Sequence, residues 1–174
     1  MKEKFSLYFV ATLKRIGALW VGFLFSLIPL NILRANISDV SSRAVAEALI
    51  SFLVVVCISS VFLFLLYRRD DAVAKMDNKS IVELTVAPTI VHFFLCVLIC
   101  WSKYVYFLLS GAYSIAQLFA PGASDINEQA IWSVLLAALI VTPIPAVGVF
   151  FGCLSARKKR KKEIEELYRA SNLR

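Results

Sequence analysis

Four long apolar runs divide the chain, and charged residues separate each run from the next. They cover residues 16–33, 48–67, 82–103 and 130–155. A helix rises 1.5 Å per residue, so about 20 apolar residues are enough to cross a hydrocarbon core of about 30 Å. Lipid cannot hydrogen-bond to backbone groups, which favours helices over isolated strands in such runs. The pattern predicts an all-α, polytopic membrane protein in which four transmembrane helices form a bundle, as a single integral membrane domain over 1–174.

Two short motifs sharpen the predicted helix starts. Ser80 and Glu83 have the spacing of a capping box, in which each side chain bonds to the backbone N–H of the other residue. Helix three should therefore begin near Ile81. Residues 125–128 repeat this spacing after a Pro-Gly break, which predicts that helix four begins near Ile126.

Two apolar segments lie beside these runs and are not counted as spans. Residues 5–16 combine apolar positions at helical spacing with basic neighbours, so we expect this segment to lie along the membrane surface. Residues 104–120 are rich in aromatic side chains and carry no charge. A fifth span there would export the basic C-terminal tail, against the usual distribution of positive charge. We expect 104–120 either to extend helix three beyond the membrane or to lie in the outer interface.

Composition supports the membrane interpretation. Of the 174 residues, 60% are hydrophobic and 18% are charged, and the mean hydropathy is +0.76. A soluble domain is about half apolar and about a quarter charged. The four Cys lie inside apolar runs and the chain has one His, which is the pattern of neither a disulfide scaffold nor a four-ligand zinc module.

Lys and Arg are distributed unevenly over the predicted connecting segments. Four lie before the first span, four lie between the second and third spans, eight follow the fourth span, and three lie on the opposite side. Basic residues are retained on the cytoplasmic side of a membrane. We therefore predict that both termini are cytoplasmic and that the protein is integral to the cell (plasma) membrane.

The C-terminal tail, residues 157–174, begins with six consecutive positive charges: Arg157, Lys158, Lys159, Arg160, Lys161 and Lys162. A stop-transfer anchor is sufficient to explain such a run. The functional alternatives are recruitment of anionic lipid, worth about 1 kcal/mol per basic residue near the surface, and docking of a cytosolic protein. Nucleic-acid binding is not expected, because the run lies against the bilayer and has no interleaved aromatic residues.

The fourth run contains two features of helix shape and packing. Pro143 and Pro145 each remove a backbone hydrogen bond and predict a kink near the middle of the helix. Gly148, Gly152 and Ala156 follow at steps of four, and this stripe of small residues permits close helix packing. The sequence does not specify whether the partner helix belongs to the same chain.

His92 is the only histidine, and Cys96 and Cys100 follow it at steps of four on one helix face. Positions 92 and 100 are about 12 Å apart along the helix axis, whereas metal bonds to nitrogen or sulfur are about 2.0–2.3 Å long. We therefore expect no metal site and no cofactor. We interpret His92 as a polar contact between membrane helices.

No phosphate-binding loop or nucleophile elbow occurs in the sequence, and we predict no catalytic residue. The leading hypothesis is a non-enzymatic multi-pass membrane protein that acts by association, as an accessory or assembly subunit of a membrane complex or as a homo-oligomer. This hypothesis depends on the near absence of ionisable residues within the spans. The alternative is a small membrane transporter or channel component, whose polar lining would come from His92, Ser51, Ser59, Ser60 and Thr142.

Overall fold

The computed structural model describes residues 2–99 and 131–172, and every regular element in these two ranges is helical. The helices are α1 (Lys2–Asn36), α2 (Val40–Arg68), α3 (Asp71–Ala74), α4 (Asn78–Ile99), α5 (Ile131–Val141) and α6 (Pro143–Asn172).

Three helical stretches in the described ranges are long and apolar enough to cross a membrane, over Ser6–Asn36, Val45–Arg68 and Ala138–Ser171. The all-α prediction is confirmed for this part of the chain, as is the presence of helices long and apolar enough to span a membrane. The fourth crossing, predicted over 82–103, continues past the last described residue of α4 and stays a prediction. The segment 104–120 and the predicted helix start near Ile126 lie outside the described residues.

α1 is a single helix of 35 residues, and it includes the segment that was expected to lie along the membrane surface. Ala11, Thr12 and Arg15 are buried, and the segment is continuous with the following apolar run in one helix. The placement of residues 5–16 along the membrane surface stays a prediction. At 1.5 Å per residue the helix is about 52 Å long, which exceeds the hydrocarbon thickness.

α4 begins at Asn78, before the start predicted from the capping box. The Asp77 carboxylate accepts a hydrogen bond from the Ser80 backbone N–H at 2.9 Å, so Asp77 caps the helix. The Glu83 carboxylate instead accepts a hydrogen bond from the Tyr8 hydroxyl of α1 at 2.9 Å. The capping-box prediction is wrong because an acid lies one turn earlier and Glu83 bonds across to another helix.

α2 lies between α1 and α6 and packs against both. It runs antiparallel to α1, since Lys14 near the start of α1 pairs with Asp70 and Arg34 near its end pairs with Glu47. It runs parallel to α6, since the backbone near Ser60 approaches Gly148 and the backbone near Phe64 approaches Gly152.

α4 packs against α1 on one side and against α5 and α6 on the other. Its contacts with α1 run in parallel order, from Tyr8 with Glu83 to Arg15 with Thr89. The Arg157 guanidinium of α6 donates a hydrogen bond to the Asn78 side chain at the start of α4. The N-terminal part of α1, α3, the start of α4 and the residues after Ala156 therefore share one end of the molecule, which we call the basic end.

The hydrophobic core lies toward the basic end, and five helices contribute to it. Its buried members are Ala11 and Ala18 of α1, Leu63 and Tyr67 of α2, Val73 of α3, Ile81 and Leu84 of α4, and Val149 and Cys153 of α6. Many large apolar side chains on the outer faces of the same helices are exposed, including Phe25 at 56% and Phe151 at 56%. A core of this kind surrounded by an apolar exterior is typical of a protein that meets lipid.

Candidate functional site

A set of polar side chains joins α1 to α4 inside the bundle of helices. Arg15 is 1% exposed, and its Nη1 donates a hydrogen bond to the Thr89 Oγ1 at 2.8 Å. The Thr89 hydroxyl donates its own proton to the Thr85 carbonyl oxygen at 2.6 Å. The hydroxyl oxygen is thereby oriented to accept a hydrogen bond from the guanidinium. In this bond the donor is charged and the acceptor is neutral.

This buried cation belongs to the stretch Ser6–Asn36, which is long and apolar enough to cross a membrane. Its acceptor Thr89 lies about 16 Å along the helix axis from Asn78, the first residue of α4. Charged groups in membrane helices are rare because lipid does not solvate them, and they usually face the protein interior. We treat Arg15 as a candidate functional residue for this reason.

Lys14 and Arg15 are two of the four basic residues before the first predicted span, and their side chains lie in different surroundings. Successive residues on a helix point about 100° apart, so neighbouring charges can face different surroundings. The Lys14 ammonium lies 3.0 Å from the Asp70 carboxylate at the basic end, and 34% of its side chain is exposed. Arg15 points toward α4 instead.

The Tyr8–Glu83 hydrogen bond extends the same contact toward the basic end. It is partly buried and lies two helical turns from Arg15 along α1. Together Tyr8, Arg15, Glu83 and Thr89 form a contact that we call the polar seam. Sequence reasoning missed it. Tyr8 and Arg15 are seven residues apart and share a face of α1, but Glu83 and Thr89 are six residues apart, so α4 carries no matching periodic signal.

His92 lies on the same face of α4, three residues after Thr89, and is 1% exposed. Both ring nitrogens lack a hydrogen-bond partner within the described part of the chain. The side chain therefore lies between helices as expected, but the polar contact that was predicted for it is not formed by these residues. Within the described ranges no three His, Cys, Asp or Glu side chains are grouped so that they could hold a metal ion, and the Cys96 side chain and Cys100 lie outside what is described.

The stripe of small residues on α6 faces α2 of the same chain. A Cβ added at Gly148 would overlap the Ser60 carbonyl oxygen, and one added at Gly152 would lie 2.8 Å from the Phe64 carbonyl oxygen. Ala156 is 3% exposed. These residues permit the backbones of α2 and α6 to approach more closely than larger side chains would allow.

α2 makes a second contact of this kind with α1, which the sequence analysis did not identify. A Cβ at Gly22 would lie 2.5 Å from the Val55 carbonyl oxygen. We call the contacts of Gly22, Gly148 and Gly152 with α2 the small-residue seam. Ala18 and Ser26 lie four residues before and after Gly22 and are buried, so a stripe of small residues does mark this contact in the sequence.

The helix is interrupted at the site of the predicted kink. α5 ends at Val141, Thr142 forms a turn, and α6 begins at Pro143. The Thr142 hydroxyl donates to the Ala138 carbonyl oxygen at 2.8 Å. Pro145 is buried, whereas Pro143 is exposed.

At the basic end, the six positive charges of the tail divide between faces of α6. Arg157, Arg160 and Lys161 line a cavity of about 350 Å³ together with Lys75 from the loop after α3. Met76 and Ile164 supply apolar wall, and we call this cavity the cationic groove. The remaining lysines of the run, Lys158, Lys159 and Lys162, do not line it.

Asp77 is the acid that lines the cationic groove. Hydrogen bonds from the Ser80 side chain and backbone N–H lower the pKa of the Asp77 carboxyl below its ordinary value. The carboxylate is therefore ionised at neutral pH and is engaged in capping α4. Four cations and one acid leave the groove with an excess of positive charge.

Comparison with known protein families, with curated proteins and with solved structures finds no match to this chain.

Proposed function

We propose that this is a non-enzymatic multi-pass protein of the cell membrane that acts by association, as an accessory or assembly subunit of a membrane complex or as a homo-oligomer. In the proposed topology the chain crosses the membrane four times, and both termini and the segment 69–77 are cytoplasmic. The parallel order of α1 with α4 and of α2 with α6 supports this topology, as does the concentration of Lys and Arg at the basic end.

The outward face of α1 carries the argument for association. Leu13, Gly17, Leu24 and Ile28 lie on this face at helical spacing, and all four are exposed. A Cβ added at Gly17 would meet no atom of the described residues within 4 Å, so this part of the chain leaves the backbone of α1 open to a close neighbour there. Asn31 adds an exposed amide to the same face, and an amide in a membrane helix typically hydrogen-bonds to another helix.

The proposal is tested by purification of the full chain in mild detergent, with measurement of the mass of the particle and identification of bound proteins. We expect a homo-oligomer or a stoichiometric partner in the wild type. Gly17→Ile should reduce that association, because the added side chain fills the open surface without touching the rest of the chain. Cys57→Ile is the matched control, since Cys57 is a small exposed residue in the apolar part of α2.

Two results would contradict the proposal at different levels. A monomer without bound partners from native membranes would refute association altogether. Association that survives Gly17→Ile would refute only the role of this face of α1.

The topology is tested separately by a tag after Arg174 and proteolysis of intact cells. We expect the tag to be protected until the membrane is permeabilised. Digestion from outside would contradict an even number of crossings with a cytoplasmic C-terminus.

A small transporter or channel component is the second candidate, and one observation favours it. Arg15 and His92 are ionisable residues buried between membrane helices, whereas the association hypothesis was based on their near absence. The hydroxyls of Ser59, Ser60 and Thr142, which this alternative named as candidate lining residues, bond to nearby backbone carbonyl oxygens of the same segment. The Ser60 hydroxyl also lies 3.2 Å from the Ile144 carbonyl oxygen of α6. Solute flux in liposomes that is abolished by Arg15→Gln and His92→Leu would favour transport over association.

A further inference from the structure

We propose that the cationic groove binds the phosphate headgroup of an anionic phospholipid in the cytoplasmic leaflet. The groove combines residues from two parts of the chain, Lys75 in the loop before α4 and three cations on α6. The site is therefore formed by folding and does not exist in the tail alone.

The spacing of the α6 residues explains why only part of the positive run is used. Arg157, Arg160, Lys161 and Ile164 are separated by three, four and seven positions, so they share one helix face. Lys159 pairs with Glu163 at 3.5 Å on another face. Three of the six consecutive cations therefore lie on the helix face that lines the groove, and the other three lie on other faces of α6.

The chemistry of the groove fits a phosphate group. Arginine presents a planar fork of N–H donors that matches phosphate oxygens, and lysine adds a point charge. The Arg157 guanidinium is held in place by its hydrogen bond to Asn78. A volume of about 350 Å³ is within the range of small-ligand sites, and it accommodates a headgroup.

The position of the groove favours a lipid over a soluble phosphate. Arg157 directly follows Ala156, at the end of the apolar run of α6, so the groove lies where the helix leaves the hydrocarbon. Ile164 lies two helical turns beyond Arg157 and away from the hydrocarbon, so Arg157 and Arg160 are the cations on α6 nearest to a headgroup.

The test uses the full chain in neutral detergent at fixed ionic strength, with dioctanoyl phosphatidic acid as the probe. Binding is measured by native mass spectrometry and by the rise in Tm on titration, since a ligand that binds the folded state stabilises it. We expect phosphatidic acid to bind and dioctanoyl phosphatidylcholine not to bind. We expect inorganic phosphate to compete only at much higher concentration.

The double variant Arg160→Gln with Lys161→Gln should weaken binding about tenfold or more, since each basic residue near an anionic surface contributes about fivefold. The matched control, Lys158→Gln with Lys162→Gln, removes the same charge outside the groove and should change affinity less than about twofold. All four side chains lie at the surface, so both variants are expected to fold. Lys75→Gln, with Lys79→Gln as its control, tests the contribution of the loop.

Equal losses in the two double variants would overturn the proposal, because only the total charge would then matter. Inorganic phosphate that binds as tightly as phosphatidic acid would also overturn it, in favour of a soluble phosphorylated ligand. The inference rests on the proposed membrane insertion and not on association. Lipid binding by a monomer would therefore refute association while it supports the groove.

Discussion

The polar seam and the small-residue seam join helices by different physical means. In the polar seam α1 is held to α4 by side-chain hydrogen bonds, from Arg15 to Thr89 and from Tyr8 to Glu83. In the small-residue seam the backbone of α2 is in close contact with glycines of α1 and α6. The polar seam depends on pairing of hydrogen-bond donors with acceptors. The small-residue seam depends on glycines, which have no side-chain atoms to separate the helices. The two seams should therefore respond to opposite kinds of substitution.

The largest expected effect comes from adding atoms to the small-residue seam. Gly148→Leu places a side chain where the Ser60 carbonyl oxygen lies, so α2 and α6 must separate. We expect a loss of about 3 kcal/mol of stability or a failure to fold. Cys57→Leu is the control, because Cys57 is a small exposed residue in the apolar part of α2. Thermal unfolding in detergent compares the two, and equal Tm values would show that the close approach of α2 and α6 contributes little.

The polar seam should be most sensitive to loss of one partner. Thr89→Val keeps the shape of the side chain but removes the oxygen that accepts from Arg15, which leaves a buried N–H of a cation without that bond. We expect a loss of about 1–3 kcal/mol. Arg15→Met combined with Thr89→Val should recover part of the loss, since no charge then remains buried.

A double-mutant cycle over these variants, followed by Tm, measures the coupling directly. Strict additivity of the two substitutions would contradict a direct interaction between Arg15 and Thr89. It would also remove the main contrast between the two seams.

A smaller effect is expected at the start of α4, which positions one side of the polar seam. Asp77→Ala removes the cap and should lower Tm at neutral pH, whereas the exposed Asp71→Ala should change it less. The pKa of Asp77 is lowered in the folded protein, so its contribution is present above the ordinary pKa of 3.8 and is lost as the pH falls through the lowered value. The difference between wild type and Asp77→Ala should therefore vanish in acid. A difference that persists there would argue against capping by the carboxylate.

The smallest expected effect is at His92. Its ring nitrogens form no hydrogen bond with the described residues, so His92→Leu removes no bond of the polar seam and reduces the cost of burying polar atoms. We expect an unchanged or slightly higher Tm. A clear decrease in Tm would show that His92 has a polar partner and belongs to the seam.

Sequence reasoning identified the features that depend on local pattern. The apolar runs predicted the helices, and the spacing of Gly148, Gly152 and Ala156 predicted a face for close packing. Features that depend on which helices become neighbours were missed. Arg15 resembles a flanking charge until α4 supplies Thr89 as its acceptor. Gly22 is different, because Ala18, Gly22 and Ser26 form a stripe of small residues that could have been recognised in the sequence.

The same limitation applies to the basic end. The sequence gives the number of charges in the tail, but not that Lys75 completes a groove with part of them. Loop residues that come together with a helix face are set by tertiary packing, which leaves no periodic signal in the sequence.

α6 continues as one helix from Pro143 to Asn172, without a loop between its apolar and basic parts. Its 30 residues extend about 45 Å, and the turn at Thr142 separates it from α5. The basic tail is therefore a continuous helical extension of the packed part of α6 rather than a flexible segment. A partner that binds the exposed Leu167 or Tyr168 would therefore contact the same continuous helix whose glycines pack against α2.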